Sequence, residues 1–508
     1  MLSAALTLGG CASVNGPRQP SVAIPAADSP FGRSLQAQVD SHGGRSGFRL
    51  LPNSGEAFRA RAELIRNAQK SLDLQYYIVH DGVSTRALVD ELLKAADRGV
   101  RVRILLDDLT SDGLENIIAT LAAHPNIQVR LFNPLHLGRG TGLTRNLGRL
   151  FNLAQQHRRM HNKLWLADDS VAIVGGRNLG DEYFNAEPNL NFTDIDLLGV
   201  GPVAAQLGQS FDEYWNSTMS RPIGEFLLVE RSARDLAKTR RKLEQSLAQS
   251  RRERPELHER LMRYQTQPHM AQWRNELIWA WGEALWDAPS KILSDGEPDP
   301  RLLLTTQLAP QLLDVHQELM LVSAYFVPRN EGLLYLTGRA DAGVSVSLLT
   351  NALEATDVPL VHGGYAPYRK ALLEHGVKLY ELRRQPWDDP KAARRFRAGS
   401  DSSLHSKAMI FDRQRSFIGS FNFDPRSVLW NTEVGVLVDS PELAERLRDL
   451  ALQGMSPALS YQVQLQGERL AWVTEDNGQL HTLTREPGDW WRRLNAWVSK
   501  TVGLEKLL

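Results

Sequence analysis

Two stretches of this chain carry the same spaced set of polar residues. The first reads His161-x-Lys163-x4-Asp168-x6-Gly175-Gly176-x-Asn178, and the second His405-x-Lys407-x4-Asp412-x6-Gly419-Ser420-x-Asn422. Corresponding residues stand 244 positions apart, and the same separation relates Asp97-Arg98-Gly99-Val100-Arg101-Val102 to Asp341-Ala342-Gly343-Val344-Ser345-Val346. A separation held over about eighty residues means that one domain occurs twice. The 508 residues leave room for both copies and a connector.

Each copy alternates between helical and extended patterns. Phe58, Ala62, Ile65 and Ala68 are spaced for one face of a helix, and Leu72, Leu74 and Tyr76 alternate as a strand. A second helix runs from Ser84 or Thr85 to Gly99, and strands follow over 100–106 and 127–132. The second copy repeats this, with strands over 319–327, 344–349 and 377–382 and a helix ending at Gly343. Strands separated by helices predict an α/β fold. The expectation is two tandem domains, 48–225 and 301–455, forming a pseudo-two-fold pair with one shared active site. Between them, 226–300 is charged and helix-prone and is expected to be a helical connector with a solvated charged face. Beyond them, 456–508 is expected to hold a β-hairpin with strands over 461–465 and 469–474, a turn signal at Asp476-Asn477-Gly478, and an amphipathic tail. Trp490, Trp491, Leu494 and Trp497 with Arg492, Arg493 and Lys500 suit a membrane interface; a helix docking its Trp residues on the domain is the equal alternative.

The motif makes chemical sense at this spacing. Residues i and i+2 of an extended segment face one side, so His161 projects with Lys163, and His405 with Lys407. The small pairs Gly175-Gly176 and Gly419-Ser420 let a substrate approach the backbone. Asn178 and Asn422 can donate amide hydrogens to the same anion. Two copies brought together place two His, two Lys and two Asn around one point, which is a phosphate site with a nucleophile on one side and an acid on the other.

The paired pattern resembles the phospholipase D superfamily, whose members need two such motifs, from one chain or from a dimer. The resemblance implies two steps: one His attacks phosphorus to form a phosphohistidine, and the other protonates the leaving alcohol and then deprotonates the acceptor. It implies His161 as nucleophile, His405 as acid and base, and Lys163, Lys407, Asn178 and Asn422 as stabilisers of phosphoryl charge. Asp168 and Asp412 are implied to be structural turn residues. Glu433 is implied to orient a catalytic His; its counterpart in the first copy is Asp194 or Asp196, with the expectation placed on Asp196. Neither a metal nor another cofactor is implied. Longer stretches, Gly175 to Phe184, Gly419 to Ser427, Gln75-Tyr76-Tyr77-Ile78 and Asp287-x-Pro289-x-Lys291, are similar to the bacterial cardiolipin synthase C-type group. That group moves a phosphatidyl unit from one lipid headgroup to another lipid, which implies phosphatidylglycerol and phosphatidylethanolamine as substrates. A phospholipase D-type hydrolase, a nuclease and a silent lipid-binding scaffold are the competing readings.

Charge bears on these. Lys+Arg and Asp+Glu both number 59, and a nucleic-acid binder usually carries a basic excess, so no nucleic acid is expected. From 136 through 167 there is no acidic residue, while Arg139, Arg145, Arg149, Arg158 and Arg159 occur; Arg158 and Arg159 are expected at a phosphate-attracting mouth. Lys391, Arg394, Arg395 and Arg397 precede the second motif, and Leu147, Leu150, Phe151 and Leu153 suit a loop touching lipid. The single cysteine, Cys11, ends Leu8-Gly9-Gly10-Cys11 and resembles a bacterial lipobox followed by a Ser- and Pro-rich tether, so 1–30 is expected to be signal, lipidation site and tether. The expected location is the bacterial cell envelope, on a membrane surface, as a lipoprotein on the periplasmic side and leaning to the outer membrane. No segment approaches ~18 uninterrupted apolar residues. No obligate protein partner is expected.

Overall fold

The strands of the motif regions are short apolar runs. Leu164 to Ala167 and Val171 to Gly175 are buried at every position, as strands covered on both faces must be. In a computed structural model, which describes residues 20–502 except 109–114, 135–157, 188–189, 228, 230, 267–269 and 385–400, these runs lie inside two large sheets.

The first sheet is built from β1 (Ser46–Leu51), β2 (Ser71–Tyr76), β3 (Arg101–Asp107), β4 (Ile127–Phe132), β5 (Leu164–Ala167), β6 (Val171–Gly175), β8 (Asp196–Val200) and β9 (Ser220–Pro222), with β7 (Leu190–Thr193) outside it. Its order is β9-β4-β3-β2-β5-β6-β8-β1, with β2, β3 and β4 parallel. The second sheet uses β10 (Ile278–Trp286), β11 (Glu318–Ser323), β12 (Ser345–Asn351), β13 (Lys378–Leu382), β15 (Lys407–Phe411), β16 (Arg415–Gly419), β17 (Val434–Asp439), β18 (Ser460–Gln466), β19 (Arg469–Asp476) and β20 (Gln479–Leu483), with β14 (Asp401–Leu404) outside it. Its order is β20-β19-β18-β13-β12-β11-β15-β16-β17-β10. The run β4-β3-β2-β5-β6-β8-β1 thus recurs as β13-β12-β11-β15-β16-β17-β10, and the α/β repeat is realised strand for strand.

Helices cover the sheets. In the first copy these include α1 (Pro30–Ser41), α2 (Ser54–Asn67), α3 (Val83–Asp97), α4 (Glu115–Leu121) and α5 (Pro202–Asn216). The connector supplies α6 (Ala233–Glu253), α7 (Pro255–Thr266) and α8 (Met270–Asn275). The second copy has α9 (Leu304–Leu313), α10 (Arg329–Asp341), α11 (Pro359–Tyr365), α12 (Arg369–Glu374), α13 (Pro425–Leu429) and α14 (Pro441–Gly454); α15 (Trp490–Val502) forms the tail. Gly99 (φ 92°) and Gly343 (φ 90°) end α3 and α10 in the left-handed conformation that closes a helix. The central core is shared by the copies: Leu164, Leu166 and Val174 from one sheet meet Met320, Ile410 and Val436 from the other, with α5 and α14 contributing Phe211 and Leu447.

The connector needs correction. Residues 233–275 are largely helical, and α6 buries only Leu236, Leu243 and Ser250 along one seam, leaving its charges solvated. Residues 278–286, however, form strand β10, not helix. Ile278–Ala280 pairs with β1 and Trp281–Trp286 with β17, so this strand closes one sheet and opens the other. A strand that completes the second sheet therefore lies inside the stretch expected to be a helical connector. In the tail, three strands extend the second sheet where a hairpin was expected. Trp490, Trp491, Leu494 and Trp497 of α15 are exposed, so this aromatic face is not buried against the domain. Among the described residues no helix is long and apolar enough to cross a membrane.

Candidate active site

Each motif straddles a β-hairpin. Asp168 and Asp412 sit at the turns of β5–β6 and β15–β16 with φ of 50° and 52°. The Asp168 carboxylate accepts the amides of Gln69, Lys70 and Ser71 and the Ser29 hydroxyl, and Asp412 accepts those of His316, Gln317 and Glu318. These contacts pin the hairpins to the starts of β2 and β11. They lie at the opposite end of each strand from the His, as turn residues would.

The two copies meet through their motifs. β14 pairs in parallel with β7, Leu404 opposite Thr193, and the His405 amide donates to the Thr193 carbonyl at 2.8 Å. Met160 and Thr432 bridge in the same sense, and the His161 amide donates to the Thr432 carbonyl at 2.9 Å. The next residue along each partner segment is an acid. Asp194 Oδ2 lies 2.8 Å from His405 Nδ1, and the Glu433 oxygens lie 2.9 and 3.0 Å from His161 Nδ1. Each imidazole is thus held by a carboxylate from the other copy, which leaves Nε2 as the reacting nitrogen.

Asp196 is not that carboxylate. It opens β8 opposite Gly175, and its Oδ2 is bound by Arg61 at 3.0 Å and Arg177 at 3.4 Å. Gly435 takes its place opposite Gly419, so Glu433, two residues earlier, corresponds to Asp194. Spacing concealed this: sixteen residues separate Asn178 from Asp194, but eleven separate Asn422 from Glu433. The sequence also showed Asp287 and Lys291 without their purpose. Asp287 Oδ2 accepts the Glu433 amide at 2.8 Å and the Lys291 ammonium at 2.9 Å, holding the strand that carries Glu433.

His161, Lys163, Asn178, His405, Lys407 and Asn422 are all buried together. Lys163 and Lys407 each donate Nζ to the carbonyl of the His two residues earlier. Asn178 Oδ1 accepts the Ile78 amide, and its nitrogen donates to the Tyr183 hydroxyl at 2.9 Å; Asn422 Oδ1 accepts the Tyr325 amide. Tyr77 stands edge-on to His161 at 5.2 Å, and Tyr183 and Phe192 stand against His405 at 5.4 and 5.0 Å. These aromatic walls were not legible as such, because nothing in a sequence separates a pocket aromatic from a core one.

Burial, and then the charges of Lys163 and Lys407, hold both imidazoles well below the usual histidine range. Burial also lowers both lysines, and it raises Glu433 to about 7 and Asp194 to about 6. The site therefore gathers lysine donors around neutral imidazoles, a setting that a bound anion would stabilise.

The expected arginine mouth is also corrected. Arg159 is fully buried, and its guanidinium turns back to grip Asp107 at the end of β3, with Nε 2.8 Å from Oδ1. Arg158 is half-buried, bonded to the Ile292 carbonyl and placed over Trp430 at 5.2 Å. Arg426, four residues after Asn422, adds to Lys163 and Lys407 in lowering the His161 pKa, and no spacing rule singled it out. Arg139, Arg145, Arg149, Lys391, Arg394, Arg395, Arg397, the apolar residues 147–153 and Cys11 lie outside the described residues.

The chain matches the family model described as "Cardiolipin synthase, PLD-like domain" over residues 62–215 and again over 309–453. It is 37% identical to cardiolipin synthase C of Escherichia coli K12 over 475 residues, covering 92% of this chain and 97% of that protein. It is 26% identical to cardiolipin synthase B of Salmonella typhimurium, covering 80% of this chain and 79% of that one. Among solved structures, the phosphatidylserine synthase of Haemophilus influenzae superposes with a TM-score of 0.57 at 13% identity, covering 93% of this chain and 99% of that one, and shares the fold. With both copies matched and their motifs complete, the chain belongs to the cardiolipin synthase, PLD-like domain family, and with it to the phosphatidyltransferases of the phospholipase D superfamily.

Proposed function

We propose that the chain is a cardiolipin synthase that joins two phospholipids through a phosphohistidine. The observation that carries this is the crossed pairing of two buried histidines, Glu433 on His161 and Asp194 on His405, beside two lysines. His161 Nε2 attacks the phosphorus of a phosphatidylglycerol or phosphatidylethanolamine. The substrate's phosphodiester anion offsets the charges of Lys163 and Lys407 and lets His405 take up a proton at Nε2; the P–O bond to the headgroup then breaks as His405 gives that proton to the departing oxygen. His405 then takes a proton from a hydroxyl of a second lipid, phosphatidylglycerol, whose oxygen attacks phosphorus and releases His161. Lys163, Lys407, Asn178 and Asn422 carry the phosphoryl charge through both steps. Glu433 is bonded by the Ser420 and Ser427 hydroxyls as well as by His161, and this more fully fixed acid favours His161 as the nucleophile.

Water is near 55 M, so a transferase must favour its lipid acceptor by placement. The exposed Trp490, Trp491 and Trp497 face of α15 supports a membrane-bound enzyme, with lipidation of Cys11 as a second anchor at the bacterial cell envelope. The experiment is turnover in vesicles of phosphatidylglycerol and phosphatidylethanolamine, with products identified by mass spectrometry. Cardiolipin is expected as the main product; phosphatidic acid dominating even at high phosphatidylglycerol would assign the chain to the hydrolases instead.

A further inference from the structure

The two copies differ at one place behind their motifs. Asp168 is bonded by Ser71 and its two predecessors, and Asp412 by Glu318 and its two predecessors, so Ser71 corresponds to Glu318. Ten residues upstream, Arg61 on α2 then corresponds to Leu308 on α9. The motif alignment equates Arg177 with Phe421, and strand pairing equates Asp196 with Gly435. The first copy fills this place with a buried ionic trio, Arg61 and Arg177 on Asp196. The second copy has Leu308, Phe421 and Gly435 there; Phe417 fills the space over Gly435, and a cavity of about 500 Å³ lies beside Leu308, Leu312, Val327, Met409, Phe421 and Val428. That volume lies within the range of small-molecule sites. An apolar space of this kind forfeits dispersion contacts when empty and does not hold water well, so hydrocarbon suits it.

Its position links it to the chemistry. Phe421, Phe423 and Asp424 line it and flank Asn422. Val428 lines it from α13, where the Ser427 hydroxyl donates to Glu433 Oε1 at 2.9 Å, the acid bonded to His161. Glu297, Arg329 and Glu331 give the lining a polar part able to meet a headgroup region.

We propose that this pocket binds one fatty acyl chain of a phospholipid. The choice of a lipid as its source rests on the phosphatidyltransferase reading. The binding test does not, because it needs no turnover. Full-length protein carrying no substitution is photolabelled with a diazirine fatty acid and digested. Label is expected on the peptides holding 304–313 and 421–429, competed by unlabelled oleate; label confined to other peptides would overturn the proposal. Titration with cis-parinaric acid is then compared between this protein and Thr305→Trp and Val428→Trp, each of which fills the space and is first checked for fold by circular dichroism. A rise in Kd of about tenfold or more is expected in each folded variant, and an unchanged Kd in a folded variant would overturn it. Turnover identifies the lipid. If the chain belongs to the reacting lipid, the ratio of kcat/KM for dioleoyl- over dihexanoyl-phosphatidylglycerol falls by about tenfold in the variants. If binding weakens while that ratio holds, the bound chain belongs to a neighbouring lipid, and the acyl site stands. Acyl binding that both variants weaken, in a protein that makes no cardiolipin, would retire the functional reading and leave the pocket.

Discussion

His161 and His405 stand in matching surroundings, yet the mechanism gives them unequal work, and this can be separated experimentally. With a p-nitrophenyl ester of phosphatidic acid, the leaving group departs without a proton. His405→Ala should then complete the first step and stall at the second, releasing one nitrophenolate per chain and leaving a phosphatidyl group on the peptide that holds His161. His161→Ala should give neither. Steady-state turnover of natural lipids should fall by about 10⁴-fold or more in either variant. Asp194→Asn should track His405→Ala, with a smaller loss of about 10²-fold. Asp196→Asn should instead cost stability, about 3 kcal/mol, by leaving Arg61 and Arg177 with an uncompensated buried charge; its melting temperature reads this. A stalled phosphoenzyme in Asp196→Asn but not in Asp194→Asn would reverse the assignment. The acid limb of activity follows from the same residues. The His161 pKa is depressed, so the imidazole stays neutral and nucleophilic as pH falls through 6.5, where an ordinary histidine is half protonated. With the nitrophenyl ester, whose first step needs no proton from His405, the rate of nitrophenolate release should hold down to that pH and fall only below it; a midpoint at 6.5 or above would contradict the depressed value. At this scale the motif residues were legible in the sequence because both copies state them. The cross-copy acid Asp194 was not, since it depends on a strand pairing between segments about two hundred residues apart.

Among the elements, α15 presents an aromatic face that is largely exposed. Trp490 is 72% exposed and Trp497 59%, while the helix itself packs on α11 and is fixed by Arg492 donating to the Leu353 and Thr356 carbonyls. Just before it, Glu486 takes Arg369 and His362 of the second copy. A rigidly mounted, exposed Trp face suits partition into a bilayer interface. Replacing Trp490, Trp491 and Trp497 by Ala should reduce vesicle co-sedimentation. It should also lower the cardiolipin to phosphatidic acid ratio, because a site held away from the bilayer meets water more often than lipid hydroxyls. Turnover of a soluble short-chain substrate should change little. Equal vesicle binding by the triple variant would remove α15 from membrane attachment. The amphipathic pattern of this tail was readable by its spacing, but whether the face is covered or open was not, because a buried and an interfacial Trp face have the same period. β10 was missed for a related reason. Its run Ile278-Trp279-Ala280-Trp281 adjoins a long charged helical stretch, and a strand that serves two sheets carries no alternation of its own.

The whole molecule ties its halves together in three ways: the shared core, the strand β10, and the exchanged acids. Leu166 and Val174 of one sheet are buried together with Ile410 and Val436 of the other, so neither half has a complete core. β10 pairs with β1 and with β17, so a cut before it leaves the first sheet with an open edge at β1, a liability for aggregation. Asp194 serves His405 and Glu433 serves His161, so neither half holds both members of a functional pair. A chain split at the 228–230 segment, between the first copy and α6, should therefore give two fragments that are inactive and poorly soluble when made alone. A self-pair of the first fragment could set Asp194 against a second His161, yet it would lack β10 along β1 and α14 in the central core. Co-expression of both fragments should restore cardiolipin formation, since the shared core, the β10 pairing and the exchanged acids are all non-covalent and the cut touches none of them. Restored activity should remain when His161→Ala is paired with an intact second fragment only if the halves can act as self-pairs; the crossed site predicts that it vanishes. Activity from either fragment by itself would show that one copy suffices, and would break the link between the duplication seen in the sequence and the single site formed from it.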